Sequence, residues 1–295
     1  MHITADRQGR MWKENNMQDR LLEWMYTHKF GRLLLKILVN PHISEIGGKF
    51  LESGISRIMI RPFVKRHSIE MDLYEEEHYR SYNDFFKRRL KAGVRIIERE
   101  PEIFISPCDS RLSVFRIDEE ESFSVKHADY TLRSLLRDRK LASRYEGGYI
   151  WIFRLCVEDY HRYVYVDSGR ESKRRRILGV YHTVNPAAGD RIPIYKENTR
   201  EYSVVKTKHF GEVIQMEVGA LLVGKIENRK WQKTVVRGQE KGNFAFGGST
   251  VILITRRGRV RPDKDIMENS KKGIETQIKM GEKIGLQFAA QANCP

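Results

Sequence analysis

The sequence predicts an α+β protein: an N-terminal helical part set on a mostly antiparallel β core, barrel-like or sandwich-like, with hammerhead-type strands. Three observations carry this. Apolar residues recur at helical spacing through residues 17–65. After residue 100, short β-rich runs alternate with turn residues. No internal repeat or long low-complexity linker separates the two regions.

In the helical part, Leu21, Leu22, Met25, Leu33, Leu34, Ile37 and Leu38 form one stripe, and Asn40-Pro41 breaks it. Phe50, Leu51, Ile55, Ile58 and Met59 form a second. Lys29, Arg32, Lys36, Lys49, Arg57, Arg61, Lys65 and Arg66 border both. Such a pattern fits a helical cap with a solvated basic face, or an interfacial helix pair lying among anionic headgroups. A further helix is expected over residues 72–92, with Tyr82, Phe85, Phe86, Arg89 and Leu90 on one face and Gly93 at its end. Strands are expected at 111–117, 149–157, 163–166, 177–182, 202–206, 212–218, 221–226 and 250–255, with a helical insert near 131–144. The Arg-rich run at 170–176 reads as an exposed hairpin loop.

Composition narrows the function classes. The 295 residues are 40% hydrophobic and 32% charged, as in a globular protein. A net charge of +15 predicts an anionic partner: nucleic acid, a membrane surface or an acidic small molecule. Cys108, Cys156 and Cys294 form no CxxC pair, which argues against a disulfide framework or cysteine zinc site and for a reducing compartment. Residues 1–15 are polar and mixed in charge, unlike a signal peptide. The apolar run Leu33–Val39 contains Lys36 and is far shorter than the ~20 residues of a spanning helix. A membrane encounter is therefore expected to be peripheral.

The most informative segment runs from Lys241 to Ile254, where Gly247-Gly248-Ser249-Thr250 heads an apolar strand. Taken alone, this tetrapeptide is also an ordinary glycine turn feeding a buried strand. The chemistry nevertheless suits self-cleavage. A serine hydroxyl can attack the preceding carbonyl if the backbone bends, and glycine removes the Cβ that would block that bend. The acyl group moves from nitrogen to oxygen. Elimination then releases Gly248 as a new C-terminus, and the remaining dehydroalanine loses ammonia to become a pyruvoyl group. Its ketone condenses with a substrate amine, the electron-sink work that other decarboxylases assign to a separate cofactor.

Several segments, in order, resemble the phosphatidylserine decarboxylase family. Tyr82–Lys91 resembles the aromatic helix before its core. Ser106-Pro107-Cys108-Asp109-Ser110 resembles its Ser-Pro-Ala-Asp-Gly signature, and Asp159-Tyr160-His161-Arg162 matches its Asp-Tyr-His-Arg signature. Thr183–Pro186, Asn198–Glu201 and Val218–Gly224 are similar to further stretches, and Gly248-Ser249 stands where that family cuts. The resemblance covers roughly residues 75 to 285.

It implies decarboxylation of phosphatidylserine to phosphatidylethanolamine through a Schiff base with a pyruvate-derived pyruvoyl cofactor at Ser249, and no metal. Ser249 would be the nucleophile, His161 the base and Asp109 the acid that orients it. Cutting would give a 1–248 chain and a 249–295 chain held as a heterodimer, itself able to dimerise. The expected organisation is a membrane-associating helical region, 1–70, and a catalytic domain, 71–295. The expected partners are phosphatidylserine and an anionic membrane surface, not nucleic acid, at the cytoplasmic side of the cell membrane. Two departures stand out. Many members have a second histidine three residues after the first, where this chain has Val164, and Cys108-Asp109-Ser110 replaces Ala-Asp-Gly. His161 is then the local base, with His182 a less favoured stand-in.

Two other classes compete. Gly211–Gly224 resembles carrier-type hammerhead strands, but no exposed Met-Lys-Met hairpin accompanies them. Charge alone suggests a nucleic-acid binder, but no helix-turn-helix, RNP-type or zinc-ligand pattern occurs. The enzyme would run as two pieces on a denaturing gel, and either alternative as one.

Overall fold

The computed structural model describes residues 2–14, 28, 41–119, 122–125, 128–179, 198–219, 225–245 and 249–288. The stripe over residues 21–38 lies outside them, as do His182, Thr183–Pro186, Ala220–Gly224, Gly247, Gly248 and Cys294.

The chain opens with a hairpin that the helical reading of residues 1–70 did not include: β1 (His2–Ala5) and β2 (Met11–Glu14). Helix α1 (Pro41–Glu52) follows, then a 3₁₀ turn (Gly54–Met59) and α2 (Ile60–His67). Proline at the first helical position of α1 fits its fixed φ and missing N–H.

The helix expected over 72–92 is cut to α3 (Tyr82–Phe86). The backbone spends its hydrogen bonds elsewhere. Tyr74 bridges Leu90, Glu75 N donates to Arg89 O, and Lys91 N donates to Leu73 O, closing the segment into a loop. Ser81 caps α3 by accepting from Asp84 N at 3.1 Å. Phe85 and Phe86 are fully buried against Leu51, Tyr79 and Tyr82, so the aromatic periodicity reflects a compact cluster.

The remaining elements are β3 (Ile103–Ile105), β4 (Ser110–Arg116), β5 (Ser122–Val125) and β6 (Ala128–Thr131). The helical insert is α4 (Leu132–Leu136) and α5 (Arg139–Ala142), capped by Thr131 and Asp138. Then come β7 (Tyr149–Leu155), β8 (Arg162–Val164), β9 (Gly169–Glu171), β10 (Arg175–Ile177), β11 (Arg200–Thr207) and β12 (Glu212–Val218). The last are β13 (Ile226–Asn228), β14 (Thr234–Val235), β15 (Glu240–Phe244), β16 (Ser249–Thr255), β17 (Val260–Pro262), α6 (Lys264–Lys271), β18 (Glu275–Ile278) and β19 (Lys283–Gln287).

One long sheet runs β14-β9-β11-β12-β16-β7-β4-β18-β1-β2, with β10 also on β11. Among its pairings only β1 with β18 is parallel. Smaller sheets, β13-β15-β8, β17-β19-β3 and β5-β6, complete the described core. The architecture is mixed helix and strand with mostly antiparallel sheets. The barrel-like expectation is corrected: the long sheet is open, and its end strands β14 and β2 do not pair.

β16 sits at the centre of this sheet, between β12 and β7, and all its residues are buried. Its alternating side chains face two cores. Val251 and Leu253 join Trp151, Phe153 and Leu112 on one face. Ile252 and Ile254 join Ile150, Ile152, Met216 and the insert's Leu132, Leu135 and Leu136 on the other. A strand covered on both faces reads as the continuous apolar run Val251–Ile254. Burying each large aliphatic side chain contributes about 1.5–3 kcal/mol, so this strand is held firmly.

Candidate active site

Ser249 is the first residue of β16 and is fully buried, paired with Leu155 at the end of β7. Among the described residues its Oγ has no hydrogen-bond partner, nor has the Oγ1 of Thr250. Buried hydroxyls are ordinarily satisfied, so a free one heading a core strand points to a role other than stability.

The pairing pattern brings His161 to the same end of the fold. β15 pairs with β8 through Asn243 and Arg162, and Phe244 N donates to His161 O at 3.0 Å. The segments 156–161 and 244–245 thus lie beside two ladders, Ser249 with Leu155 and Asn243 with Arg162. Gly242 is required in this stem: a Cβ there would sit 2.6 Å from Glu227 O and 2.8 Å from the Tyr163 hydroxyl. Beside it, Lys241 is fully buried and paired with Glu217 at 2.7 Å. Burial raises the Glu217 carboxyl above its usual range, against the pull of Lys241 and Asn228.

The His161 ring packs on Phe86 with centroids 4.0 Å apart, and it is 1% exposed. Its Nδ1 is 2.9 Å from the carbonyl oxygen of Asp159. A carbonyl can only accept, so Nδ1 carries the proton and Nε2 presents a lone pair. Nε2 has no partner. Burial, followed by the neighbouring Arg88 cation, pushes the imidazole down to about 3, while the Asp159 carbonyl and the Asp109 charge oppose this. The ring is therefore neutral near pH 7, well below the ordinary histidine value.

Asp159 shapes this turn. Its Oδ2 accepts from Cys156 N at 2.8 Å and from Arg111 at 2.5 Å, and Arg111 also reaches Glu158.

Asp109 is 2% exposed, and its oxygens are engaged elsewhere. Arg95 Nε lies 3.0 and 3.2 Å from the two oxygens and Nη2 lies 2.5 Å from Oδ2. Met280 N donates to Oδ1 at 2.8 Å, and Lys279 Nζ stands at 3.6 Å. Among the described residues no hydrogen bond joins Asp109 to His161. Val164 N donates to Pro107 O, so the strand after His161 does lie against the loop carrying Asp109. The structure thus brings Asp109 and His161 into one neighbourhood, yet the group that sets the imidazole tautomer is a main-chain carbonyl.

Sequence reasoning assigned no role to Arg88, Arg95 or the Lys241–Glu217 pair. Each lies in or near a quoted motif, but a basic residue in a basic chain shows its partner only once folded. Both described cysteines, Cys108 and Cys156, are thiols pushed well above their usual range by burial, which disfavours a thiolate nucleophile. Among the described residues, no group of three or more His, Cys, Asp or Glu side chains could hold a metal ion.

An open, mostly antiparallel sheet thus carries a buried serine hydroxyl at the head of its central strand, and a buried, neutral imidazole precedes β8, groups that suit acid–base chemistry. Comparison with known proteins makes the class specific. The family model described as phosphatidylserine decarboxylase matches residues 82–286. A Clostridium acetobutylicum protein named phosphatidylserine decarboxylase proenzyme 2 is 45% identical over 93% of this chain and 94% of its own. Phosphatidylserine decarboxylase proenzymes of Clostridium tetani and Ruminiclostridium cellulolyticum are 40% and 43% identical, over 92% and 90% of this chain and 94% and 91% of their own. The chain belongs to the phosphatidylserine decarboxylase family.

Proposed function

We propose that this protein decarboxylates phosphatidylserine to phosphatidylethanolamine after cutting itself between Gly248 and Ser249. The observation that carries the reading is the free, buried Ser249 Oγ directly after Gly-Gly, in a chain whose relatives are named proenzymes.

In the cut, Ser249 Oγ attacks the Gly248 carbonyl carbon as its proton passes to a base. The Gly248–Ser249 C–N bond breaks and the nitrogen is protonated, leaving an ester. Loss of the Ser249 α-proton and cleavage of its Cβ–Oγ bond release Gly248 as a carboxylate. The resulting dehydroalanine tautomerises to an imine, and one water hydrolyses it to ammonia and the pyruvoyl end of residue 249. His161 is the candidate base, because no donor among the described residues occupies its Nε2 lone pair.

The unpartnered, buried Oγ of Ser249 fits the precursor of a pyruvoyl group, which would supply the electron sink for decarboxylation. The surrounding strands bury the reacting end of β16 and fix its register between β12 and β7. Asp109, gripped by Arg95, supplies a fixed negative charge near His161.

Residues 1–70 are proposed as the membrane-associating part and 71–295 as the catalytic domain. Support comes from exposed Ile55 and Ile58 on the 3₁₀ turn beside Arg57, Arg61, Lys65 and Arg66. No described helix is long and apolar enough to cross a membrane. The protein would lie on an anionic surface at the cytoplasmic side, its two chains remaining together. The reading is tested by incubating purified protein with phosphatidylserine vesicles and assaying carbon dioxide and phosphatidylethanolamine; absence of both products would reject it.

A further inference from the structure

Arg88 differs from the other buried arginines. Arg111, Arg154 and Arg162 each hold a carboxylate, Asp159, Glu275 and Glu240, as half-buried Arg95 holds Asp109. Arg200 directs Nε, Nη1 and Nη2 at the carbonyls of Leu135, Asn198 and Ser134. Arg88 is 1% exposed, and its Nη2 donates to Glu158 O at 2.9 Å and Asp159 O at 3.2 Å. Among the described residues its Nε and Nη1 have no acceptor and no carboxylate pairs with it.

A buried guanidinium without a counter-ion is costly. The rings of Tyr74 and Phe85, 4.7 and 4.9 Å from Cζ, offset part of that cost. They supply no acceptor for the two free nitrogens. The position of this cation matters, because the Asp159 carbonyl that binds it also binds His161 Nδ1. The charge therefore stands beside the candidate base.

We propose that Arg88 receives the anionic headgroup of the substrate, an oxyanion of either the phosphodiester or the carboxylate. This rests on the decarboxylase reading above and names the residue that recognises the substrate class. An arriving oxyanion supplies both the missing counter-charge and acceptors for Nε–H and Nη1–H. It also places the headgroup beside His161, so binding and positioning use the same residue.

The test uses full-length, uncut Ser249→Ala protein, which can bind without turning over. Thermal stabilisation and titration calorimetry are recorded with glycerophosphoserine, glycerophosphoethanolamine, inorganic phosphate and L-serine. Glycerophosphoserine should bind and stabilise. Arg88→Lys, which keeps the charge but not the planar donor set, should weaken binding about tenfold, and Arg88→Met should abolish it. Retained binding of glycerophosphoethanolamine or phosphate identifies the phosphodiester as the anion; binding confined to glycerophosphoserine and L-serine identifies the carboxylate. If Arg88→Met does not fold, Arg88→Lys decides. Unchanged affinity in Arg88→Lys, or no binding of any probe by the parent, overturns the proposal. Decarboxylase activity of the wild-type protein is measured in parallel: its absence rejects the functional reading, whereas activity with an Arg88-independent affinity rejects this inference alone.

Discussion

His161 and Arg88 share one acceptor: the carbonyl oxygen of Asp159 takes Nδ1 of the imidazole at 2.9 Å and Nη2 of the guanidinium at 3.2 Å. The arrangement fixes the tautomer with Nε2 bare and sets a positive charge against protonation. A base held this way is neutral near pH 7, because burial and the Arg88 cation push its proton affinity down.

The first prediction follows for maturation. His161→Ala should slow cutting at least about a hundredfold, the low end of a general-base contribution. The acid limb of the wild-type rate should lie well below the ordinary histidine value of 6.5, since the imidazole is pushed down to about 3. The uncut fraction after cell-free synthesis, followed between pH 5 and 8 on a gel, reads both. A midpoint near 6.5 that His161→Ala removes would contradict the neutral-base geometry.

Stability carries the same signature. The folded imidazole refuses a proton that the unfolded chain accepts below its unfolded value of 6.5. The wild-type ring therefore contributes stability that is fully present above 6.5 and is lost progressively as pH falls towards 3. In the uncut Ser249→Ala background, His161→Gln should gain on its parent as pH drops from 7 to 5. Urea unfolding at the two pH values measures this, and a pH-independent difference would show that the ring titrates normally.

Much of the fold was legible in the sequence, because β7, β12 and β16 are runs in which burial and β-branched chemistry agree. Val251–Ile254 is apolar at every position because both faces of β16 are covered. The expected helix over 72–92 was misread for a physical reason: Tyr82, Phe85 and Phe86 recur as on a helix but pack as a cluster closed by the Tyr74–Leu90 bridge. The β1–β2 hairpin escaped because its pairing to β18 joins opposite ends of the chain. Motifs single out Ser249, Asp109 and His161 as candidates, but their partners are visible only in the fold. Arg88 stands in the run Lys87–Lys91, where sequence alone does not distinguish one buried cation from its exposed neighbours.

Asp109 gives a third prediction. Its carboxylate is held by Arg95 and by Met280 N, not by the imidazole, so Asp109→Asn should slow cutting less than His161→Ala does. The cause would be loss of a fixed charge, not a wrong tautomer. Arg95→Lys should cut faster than Arg95→Met. Equal, complete arrest in Asp109→Asn and His161→Ala would restore a direct carboxylate–imidazole relay.

Membrane association gives a fourth. Ile55 and Ile58 are 70% and 74% exposed, far beyond what a packed 3₁₀ turn needs, and cationic side chains flank them. Ile55→Ser combined with Ile58→Ser should reduce co-sedimentation with anionic vesicles, and raised salt should weaken wild-type binding. Undiminished binding by the double variant would move the contact elsewhere.

Cohesion after cutting is the fifth. The 249–295 segment contributes β16 between β12 and β7, and Arg154 grips Glu275 while Arg7 holds Asp263 and Asp265. The two pieces should co-elute in size-exclusion chromatography and part only in denaturant. Separation under native conditions would contradict this account of the core.

The central claim is the bond that breaks. Intact-mass analysis of the purified wild-type protein and of Ser249→Ala tests it directly. The account predicts two wild-type species, residues 1–248 and a 249–295 chain with a pyruvoyl in place of the N-terminal serine, and one uncut species for Ser249→Ala. A single full-length wild-type mass after complete incubation, or two fragments from Ser249→Ala, would contradict it.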